Sequence, residues 1–271
     1  MTDPELCFSE PVGPENAPWL VLGPSLGTSS SVWEGVTPLL SDRYHVIAWD
    51  LPGHGGSAAA EVAFSIADLA RSVAAGLRER GAASVYYAGV SLGGAVGVQL
   101  ALEQSGFVNA LAVVASGAKL GRPDAWHSRA AFVRANSTAA MREPSAERWF
   151  APHTLARELS LPRRLLSELG VVDRESYSLC CEALAAYDVR DRLHEIACPV
   201  LILWGEHDQI APQNTADELN EGLADGRVVC LLGAGHLPPV EDPTATAQEI
   251  GSFLMAVDGA YDRPGRRKAH E

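Results

Sequence analysis

The chain has 271 residues, of which 47% are hydrophobic, and a formal net charge of −13 at pH 7. That length has room for one large α/β domain or two small ones, and the hydrophobic content suffices for a substantial core. The acidic balance argues against a nucleic acid or an anionic membrane surface as a partner. No signal-like pattern opens the sequence and no apolar run is long enough to span a bilayer, so we expect a cytoplasmic protein.

Short apolar segments alternate with segments of helical periodicity up to Ala115. The apolar segments predict strands at residues 19–22, 44–49, 85–88 and 108–115, with a further short strand near 6–8. Apolar residues three or four positions apart predict helices at residues 32–40, 64–80 and 92–102. Strands that alternate with helices favour a mainly parallel sheet covered by helices on both faces.

The pattern changes between residues 117 and 192, where no strand is evident. This segment is rich in Ala and Arg, and short helices fit residues 125–135 and 175–186. We predict a helical insertion over the C-terminal edge of the sheet. Strands are predicted again at 200–204 and 227–232, before a closing helix at 244–257. The predicted division is an α/β core at 1–117 and 193–257, a helical cap at 118–192 and a polar C-terminal tail at 258–271.

Cysteine usage predicts reduced thiols and no metal site. The five cysteines are Cys7, Cys180, Cys181, Cys198 and Cys230. They form neither a C-x-x-C pair nor the ligand spacing of a zinc site. We therefore expect free, partly buried cysteines and a protein that works without a metal.

The segment from Gly89 to Gly93 reads GVSLG and lies between a predicted strand and a predicted helix. A G-x-S-x-G motif at a strand-to-helix turn is typical of a nucleophile elbow. So sharp a turn forces its central residue into a strained, positive-φ conformation, and side chains two residues away would collide. We therefore predict Ser91 as a catalytic nucleophile. The Leu92 N–H, at the positive end of the helix, is predicted to point toward a forming oxyanion.

A serine nucleophile needs a base, and the base needs a carboxylate that orients it. After a nucleophile elbow, the acid and then the histidine come later in the chain. Asp208 and His236 each follow a predicted strand, so both reach the sheet edge at which Ser91 lies. We predict Asp208 as the acid and His236 as the base, with Glu206 as the alternative acid. His54 is interpreted as a structural residue of a Gly-rich turn.

A second oxyanion donor is predicted in the loop after the first strand, which reads GPSLGT from Gly23 to Thr28. Gly27 lets the backbone approach closely. The N–H of Leu26 is therefore the predicted donor beside that of Leu92. An ordinary tight turn is the alternative interpretation of this loop.

Across nearly the whole chain, these motifs resemble the α/β-hydrolase family. Five segments are also similar to the 3-oxoadipate enol-lactonases: SLGT at 25–28, GVSLGG at 89–94, ASGAKLG at 115–121, ERWF at 147–150 and YSLCCEAL at 177–184. The resemblance implies the α/β-hydrolase fold and a serine hydrolase that uses no cofactor. It also implies the reaction, the opening of 3-oxoadipate enol-lactone to 3-oxoadipate in the β-ketoadipate pathway of aromatic-compound breakdown.

That reaction implies a substrate with a free carboxylate, in a protein that is otherwise acidic. Arg134 and Arg148, in the predicted cap, are candidates to bind it, because guanidinium pairs bidentately with carboxylate. Trp126 and Trp149 are candidates for an apolar wall of the substrate site. For all four residues, a solvated helix face or plain core packing is the alternative interpretation. Pro24 departs from the family, whose members usually have Asn or His at this position.

Three other functions remain open from the sequence. The first is a carboxylesterase of another specificity. The second is a carbon–carbon bond hydrolase of aromatic catabolism, against which Val90 and Leu237 count, because those enzymes typically have Asn before the serine and Trp after the histidine. The third is a ligand-binding protein on a hydrolase scaffold. A small-molecule partner is expected in each case, and the sequence leaves a homo-oligomer open.

Overall fold

The computed structural model describes residues 3–157 and 159–261 of the chain. Within these ranges, six parallel strands form one sheet in the order β2-β1-β3-β4-β5-β6. The strands are β1 (Trp19–Gly23), β2 (His45–Ala48), β3 (Val85–Val90), β4 (Val108–Val114), β5 (Val200–Gly205) and β6 (Gly226–Leu231). The prediction of a mainly parallel α/β sheet is confirmed.

The central strands read as apolar runs because both faces of the sheet are covered. Every residue of β3 is buried. The helices outside the segment between β4 and β5 are α1 (Thr37–Leu40), α2 (Ile66–Glu79), α3 (Leu92–Glu103), α9 (Gln213–Gly222), α10 (Pro238–Glu241) and α11 (Pro243–Tyr261). α3 is buried almost all round, because it packs on β1, β3 and β4 and against α2.

α2 illustrates how local sequence sets an element. The Ser65 hydroxyl accepts a hydrogen bond from the Asp68 N–H, and the Asp68 carboxylate accepts one from the Ser65 N–H. This capping box satisfies two backbone donors that would otherwise be unpaired at the start of the helix. Leu69, Val73 and Leu77, four residues apart, are fully buried and form the core-facing stripe.

Among the described residues, five α-helices lie between β4 and β5, and we call residues 118–192 the cap segment. They are α4 (Pro123–Asn136), α5 (Arg142–Trp149), α6 (Pro152–Ala156), α7 (Ser160–Leu169) and α8 (Arg174–Ala186). α4 and α8 pack against each other. The Asp173 N–H donates to the Gly53 carbonyl at 3.0 Å, and the Ser176 hydroxyl accepts from the Ala60 N–H at 2.9 Å. The start of α8 is therefore fastened to the loop that follows β2.

Residues 32–40, predicted as one helix, form two separate pieces. Ser30–Trp33 is a 3₁₀ turn, and α1 begins only at Thr37. Pro38 explains the break, because a proline inside a continuous helix would remove a backbone donor and clash with the preceding turn. In the first turn of α1 the same proline is tolerated.

The structure differs from the sequence-based assignment at three other places. Near residues 6–8 only isolated antiparallel bridges occur, Phe8 with Trp49 and Val12 with Val46. α9 was not predicted. α11 extends to Tyr261, whereas residues 262–271 of the predicted tail lie outside the described residues. Within the described ranges, no helix is long and apolar enough to cross a membrane.

Candidate active site

Ser91 lies at the turn between β3 and α3 with φ +55° and ψ −118°. A non-glycine residue adopts such a conformation at a cost on the order of 1–3 kcal/mol. Gly89 and Gly93 must be glycines, because neighbouring backbone atoms leave no room for a Cβ at either position. A Cβ at Gly89 would lie 2.2 Å from the Gly93 carbonyl oxygen, and one at Gly93 would lie 2.4 Å from the Gly23 carbonyl carbon. The strained turn places Ser91 at the C-terminal edge of the sheet.

The structure brings Ser91, Asp208 and His236 together. His236 Nε2 lies 2.9 Å from Ser91 Oγ, and His236 Nδ1 lies 2.9 Å from Asp208 Oδ2. The three residues follow β3, β5 and β6 respectively, and all three are buried. When Nδ1–H donates to the carboxylate, Nε2 is left to accept the serine proton, as a general base must.

The Asp208 carboxylate is held in its charged form. Burial by itself raises the pKa of this carboxyl, but the neighbouring His236 and hydrogen bonds from the backbone outweigh burial, so the net pKa is lowered. The backbone donors are the N–H groups of Ile210 at 2.7 Å and Ala211 at 3.1 Å, both to Oδ1. An ionised acid can fix the histidine tautomer and stabilise the imidazolium that forms during reaction.

The alternative acid, Glu206, makes a different contact. Its carboxylate accepts a hydrogen bond from the Gly233 N–H at 2.9 Å, and its side chain is 48% exposed. Within the described part of the chain, Asp208 is the carboxylate that hydrogen-bonds the His236 ring. The geometry therefore favours Asp208 over Glu206 as the acid.

The predicted oxyanion donors are two buried backbone groups. Leu26 and Leu92 are both buried, and no acceptor among the described residues pairs with either N–H. Because buried backbone donors are nearly always paired, two unpaired ones beside a nucleophile indicate a place for developing negative charge. The Gly93 N–H donates to the Pro24 carbonyl at 2.8 Å and holds the loop against α3. Pro24 contributes a carbonyl to this contact, which any residue type could supply.

His54 holds residues 23–28, which we call the oxyanion loop after the donor predicted there, and the sequence interpretation missed this role. Its Nε2 accepts a hydrogen bond from the Gly27 N–H at 3.1 Å, and its Nδ1 therefore donates to the Pro52 carbonyl at 2.8 Å. Burial lowers the pKa of His54 to about 4, so the ring is neutral near pH 7. The ring stacks on Tyr177 of α8, with centroids 6.2 Å apart. No local signal predicts this bond, because its partners lie 27 residues apart.

Trp149 contacts both the base and the oxyanion loop. Its carbonyl accepts the N–H groups of His236 at 3.0 Å and Leu237 at 3.2 Å. Its indole lies against Gly27, where an added Cβ would come within 3.2 Å of the ring. Gly27 itself has φ +85°, so both backbone conformation and space favour glycine there. Trp149, predicted as a wall of the substrate site, is therefore placed at the active site.

The two arginines predicted to bind a carboxylate lie in different settings. Arg134, on α4, forms ion pairs with Glu175 and Glu182 of α8, and these hydrogen-bonded partners raise the pKa of its guanidinium. A substrate carboxylate would have to displace one of these glutamates, so the contacts give Arg134 a bridging role between two helices. Arg148 is half-buried near the end of α5, directly before Trp149.

Trp126 and Arg129 share one face of α4. The Trp126 indole N–H donates to the Leu120 carbonyl, and the Arg129 guanidinium lies 5.1 Å from the centre of the Trp126 ring. Burial raises the pKa of the Tyr177 hydroxyl, and the nearby Arg129 opposes that rise. Arg129 thus lies near the Tyr177 hydroxyl, and the Tyr177 ring stacks on His54, which holds Gly27 of the oxyanion loop. Sequence reasoning missed Arg129, although a spacing of three from Trp126 on a predicted helix was an available signal.

The cysteines take no part in the hydrogen bonds that join Ser91, His236 and Asp208. All five are free thiols; Cys180 and Cys181 are buried on α8, and Cys7 is exposed. Burial raises the pKa of the Cys180 and Cys181 thiols, which makes them poor nucleophiles. Within residues 3–157 and 159–261, no group of three or more His, Cys, Asp or Glu residues is arranged to hold a metal ion.

Comparison with known proteins identifies the family. The model of the alpha/beta hydrolase family matches residues 20–249. The 3-oxoadipate enol-lactonase 2 of Acinetobacter baylyi is 32% identical over 251 residues, which cover 89% of this chain and 90% of that protein. The pimeloyl-[acyl-carrier protein] methyl ester esterase of Aeromonas hydrophila is 32% identical over 246 residues, or 88% of this chain and 95% of that protein.

A solved structure shows the same similarity in three dimensions. The enol-lactonase from Burkholderia xenovorans LB400 matches with a TM-score of 0.89 and 30% sequence identity, and the match covers 92% of this chain and 96% of that chain. The predicted resemblance to α/β hydrolases and to enol-lactonases is confirmed. This chain therefore belongs to the alpha/beta hydrolase family.

Proposed function

We propose that this hydrolase opens 3-oxoadipate enol-lactone to 3-oxoadipate, without a cofactor, in the breakdown of aromatic compounds. The observation that carries the proposal is the His236 ring, which lies 2.9 Å from both Ser91 Oγ and Asp208 Oδ2 beside two unpaired backbone donors. The enol-lactonase relatives support the choice of substrate. We further propose a cytoplasmic enzyme whose α/β core is covered by the cap segment.

The reaction begins when Ser91 Oγ attacks the lactone carbonyl while His236 Nε2 takes the serine proton. The Leu26 and Leu92 N–H groups stabilise the tetrahedral oxyanion. Collapse breaks the ring C–O bond, and the leaving oxygen departs as an enolate that stays attached to the acyl chain. The enolate takes the proton from the His236 imidazolium and becomes a ketone, which leaves the His236 ring neutral. Water, deprotonated by His236, then attacks the ester of Ser91. The products are 3-oxoadipate and the free serine.

The substrate carboxylate needs a cationic partner in this acidic protein. We propose Arg129 and Arg148 for this role. Arg129 forms no ion pair with any described carboxylate and lies beside Tyr177, which stacks on His54. Arg148 adjoins Trp149, whose indole and carbonyl both contact the site. Arg134 is the weaker of the predicted candidates, because two glutamates already pair with it.

Apolar contact with the lactone is proposed to come from the two predicted tryptophans. Trp149 is buried with its ring against the oxyanion loop. Trp126 is buried with the Arg129 guanidinium over its ring. A flat apolar surface next to a guanidinium suits a substrate that is a small ring with one charged arm.

The second candidate function is a carboxylesterase of other specificity. It is favoured by the 32% identity to a pimeloyl-[acyl-carrier protein] methyl ester esterase. Both reactions need the same serine, base and oxyanion donors, because each passes through an acyl-enzyme. They differ in the substrate that the cap segment accepts.

A substrate panel compared by kcat/KM tests the proposal. The panel contains the enol-lactone, a simple aryl ester, a methyl ester of a dicarboxylic acid and a meta-cleavage product. We expect the enol-lactone to have the highest kcat/KM. A higher value for the methyl ester would replace the lactonase by an esterase. Saturable binding of these compounds without turnover would indicate a ligand-binding protein instead.

A further inference from the structure

Glu241, the last residue of α10, is a half-buried carboxylate outside the triad. Its Oε1 accepts the N–H of Gly235 at 2.7 Å. Its Oε2 accepts the N–H of Ala151 at 2.8 Å and the hydroxyl of Thr154 at 2.7 Å. Gly235 directly precedes His236, whereas Ala151 and Thr154 belong to the cap segment. One carboxylate thus connects the loop of the catalytic base to the cap segment.

The loop of the catalytic base, residues 235–237, also touches the cap segment along residues 149–151. Trp149 accepts the N–H groups of His236 and Leu237 through its carbonyl. At Gly235 a Cβ would lie 2.8 Å from the Ala151 nitrogen, so the two backbones are in contact there. His236 is therefore held from two sides, by Asp208 through its ring and by residues 149–151 through its backbone.

The three groups that converge on Glu241 are all donors. An ionised carboxylate accepts only, so it can satisfy all of them at once. Glutamine has the same shape, but its NH₂ group would face one of the three donors and leave at least one of them unpaired. On balance the pKa of Glu241 is raised, because burial outweighs the hydrogen bonds from Ala151, Thr154 and Gly235 and the nearby His153, which act in the opposite direction.

We propose that Glu241 is a positioning residue for His236. It locks residues 235–237 onto residues 149–151 of the cap segment, and so sets the distance between His236 Nε2 and Ser91 Oγ. The inference rests on the proposed function only in that Ser91 is the nucleophile and His236 its base. It does not depend on which ester or lactone is the substrate.

The test is the variant Glu241→Gln, assayed at a temperature at which circular dichroism shows it folded. We expect kcat to fall on the order of 10- to 100-fold, because small displacements of a catalytic group have costs of that size. KM should stay within about threefold, since both oxygens of Glu241 are already taken by protein donors. A variant that melts earlier but keeps kcat within about twofold would reduce Glu241 to a purely structural residue and overturn the proposal.

Glu206→Gln is the matched control. Glu206 also accepts a backbone N–H of the same loop, that of Gly233, but among the described residues it forms no hydrogen bond or ion pair with the cap segment. We expect its kcat to stay within about twofold of the wild type. An equal loss of kcat in both variants would mean that any carboxylate hydrogen-bonded to the backbone of this loop matters, and the connection to the cap segment would be refuted.

A readout that is independent of substrate separates this inference from the proposed function. Phenylmethylsulfonyl fluoride sulfonylates Ser91 Oγ, with loss of fluoride and transfer of the serine proton to His236. The inactivation rate of Glu241→Gln should fall in parallel with kcat, whichever substrate the enzyme proves to prefer. An unchanged inactivation rate would overturn the proposal even if kcat fell.

Thr154→Val keeps the inference testable if Glu241→Gln does not fold. Valine has the shape of threonine without the hydroxyl that donates to Glu241 Oε2. We expect kcat and the sulfonylation rate to fall together, by about three- to tenfold. This loss is smaller than in Glu241→Gln, because Thr154→Val removes only one of the three hydrogen bonds to Glu241. Unchanged rates in folded Thr154→Val would contradict the proposal.

Discussion

Ser91 shows how one residue concentrates the chemistry of the site. Its φ of +55° is strained, its neighbours Gly89 and Gly93 cannot carry a Cβ, and its Oγ lies 2.9 Å from His236 Nε2. Strain at a functional residue persists only when the surrounding structure determines it. Here the turn from β3 into α3 does so.

Replacement of the nucleophile tests this site directly. Ser91→Ala should lower kcat by a factor on the order of 10³ to 10⁶, because it removes the hydroxyl that is proposed to form the acyl-enzyme. Steady-state hydrolysis of the enol-lactone and of an aryl ester provides the measurement. Activity within about tenfold of the wild type would exclude Ser91 as the nucleophile.

The choice between two acids is also decided at single residues. Asp208→Asn should lower kcat by roughly 10²- to 10⁴-fold, because an amide neither fixes the His236 tautomer nor stabilises its imidazolium. Glu206→Gln should change kcat little, since the Glu206 carboxylate bonds the Gly233 N–H. The measurement is kcat for both variants on one substrate. If the two effects were exchanged, Glu206 would be the acid.

At the scale of elements, α4 and α8 form one unit of the cap segment. Arg134 on α4 pairs with Glu175 and Glu182 on α8. Partly exposed ion pairs of this kind each contribute about 1 kcal/mol or less to the free energy of unfolding. Packing between α4 and α8 therefore supplies most of the free energy that holds the two helices together. α8 is in turn fastened to the loop after β2, which carries His54. The cap segment is thereby coupled to the oxyanion loop.

This arrangement predicts how two arginines of α4 differ. Arg129→Gln should raise KM for the enol-lactone by about 10- to 100-fold, since the substrate carboxylate would lose a guanidinium partner. It should change KM for an uncharged aryl ester by less than about twofold. Arg134→Gln is the comparison, because its guanidinium is already paired, and it should affect both substrates alike. Equal KM values for wild type and Arg129→Gln with the lactone would remove Arg129 from the substrate site.

At the scale of the whole molecule, stability depends on pH through His54. Its pKa is about 4 when folded, because burial disfavours the charged ring, against 6.5 for a solvated histidine. Between these pH values the unfolded chain binds a proton that the folded protein does not. The free energy of unfolding therefore falls as the pH is lowered from about 6.5 to about 4, and this contribution becomes constant below that.

The size of the effect follows from the difference of pKa. At 1.36 kcal/mol per unit it amounts to about 3 kcal/mol, an upper value for one buried group. Urea unfolding of wild type and His54→Gln at several pH values isolates it, because all other groups titrate in both proteins. The difference between the two free energies of unfolding should shift by up to about 3 kcal/mol between pH 7 and pH 4. A difference that does not vary with pH would show that His54 titrates normally.

The elements differ in how far local sequence determines them. The six sheet strands and α2, α3 and α11 coincide with apolar runs or helical spacing that tertiary contacts did not override. The helix expected at residues 32–40 is interrupted between Trp33 and Thr37, because Pro38 is tolerated only in a first turn, and the strand expected near residues 6–8 is reduced to isolated bridges. α9, which buries Ala216 and Leu219, was missed because its apolar stripe is narrow.

By itself, the sequence determined the sheet, the elbow and the order of Ser91, Asp208 and His236. These follow from local rules, because a glycine-flanked serine and the residues after two buried strands must meet at one edge of a parallel sheet. The tertiary structure alone decided that His54 holds Gly27, that Arg134 bridges two helices and that Glu241 bonds Ala151. The last of these contacts spans 90 residues of sequence. Hydrogen bonds between distant segments depend on how the segments pack, and no periodicity or spacing encodes that packing.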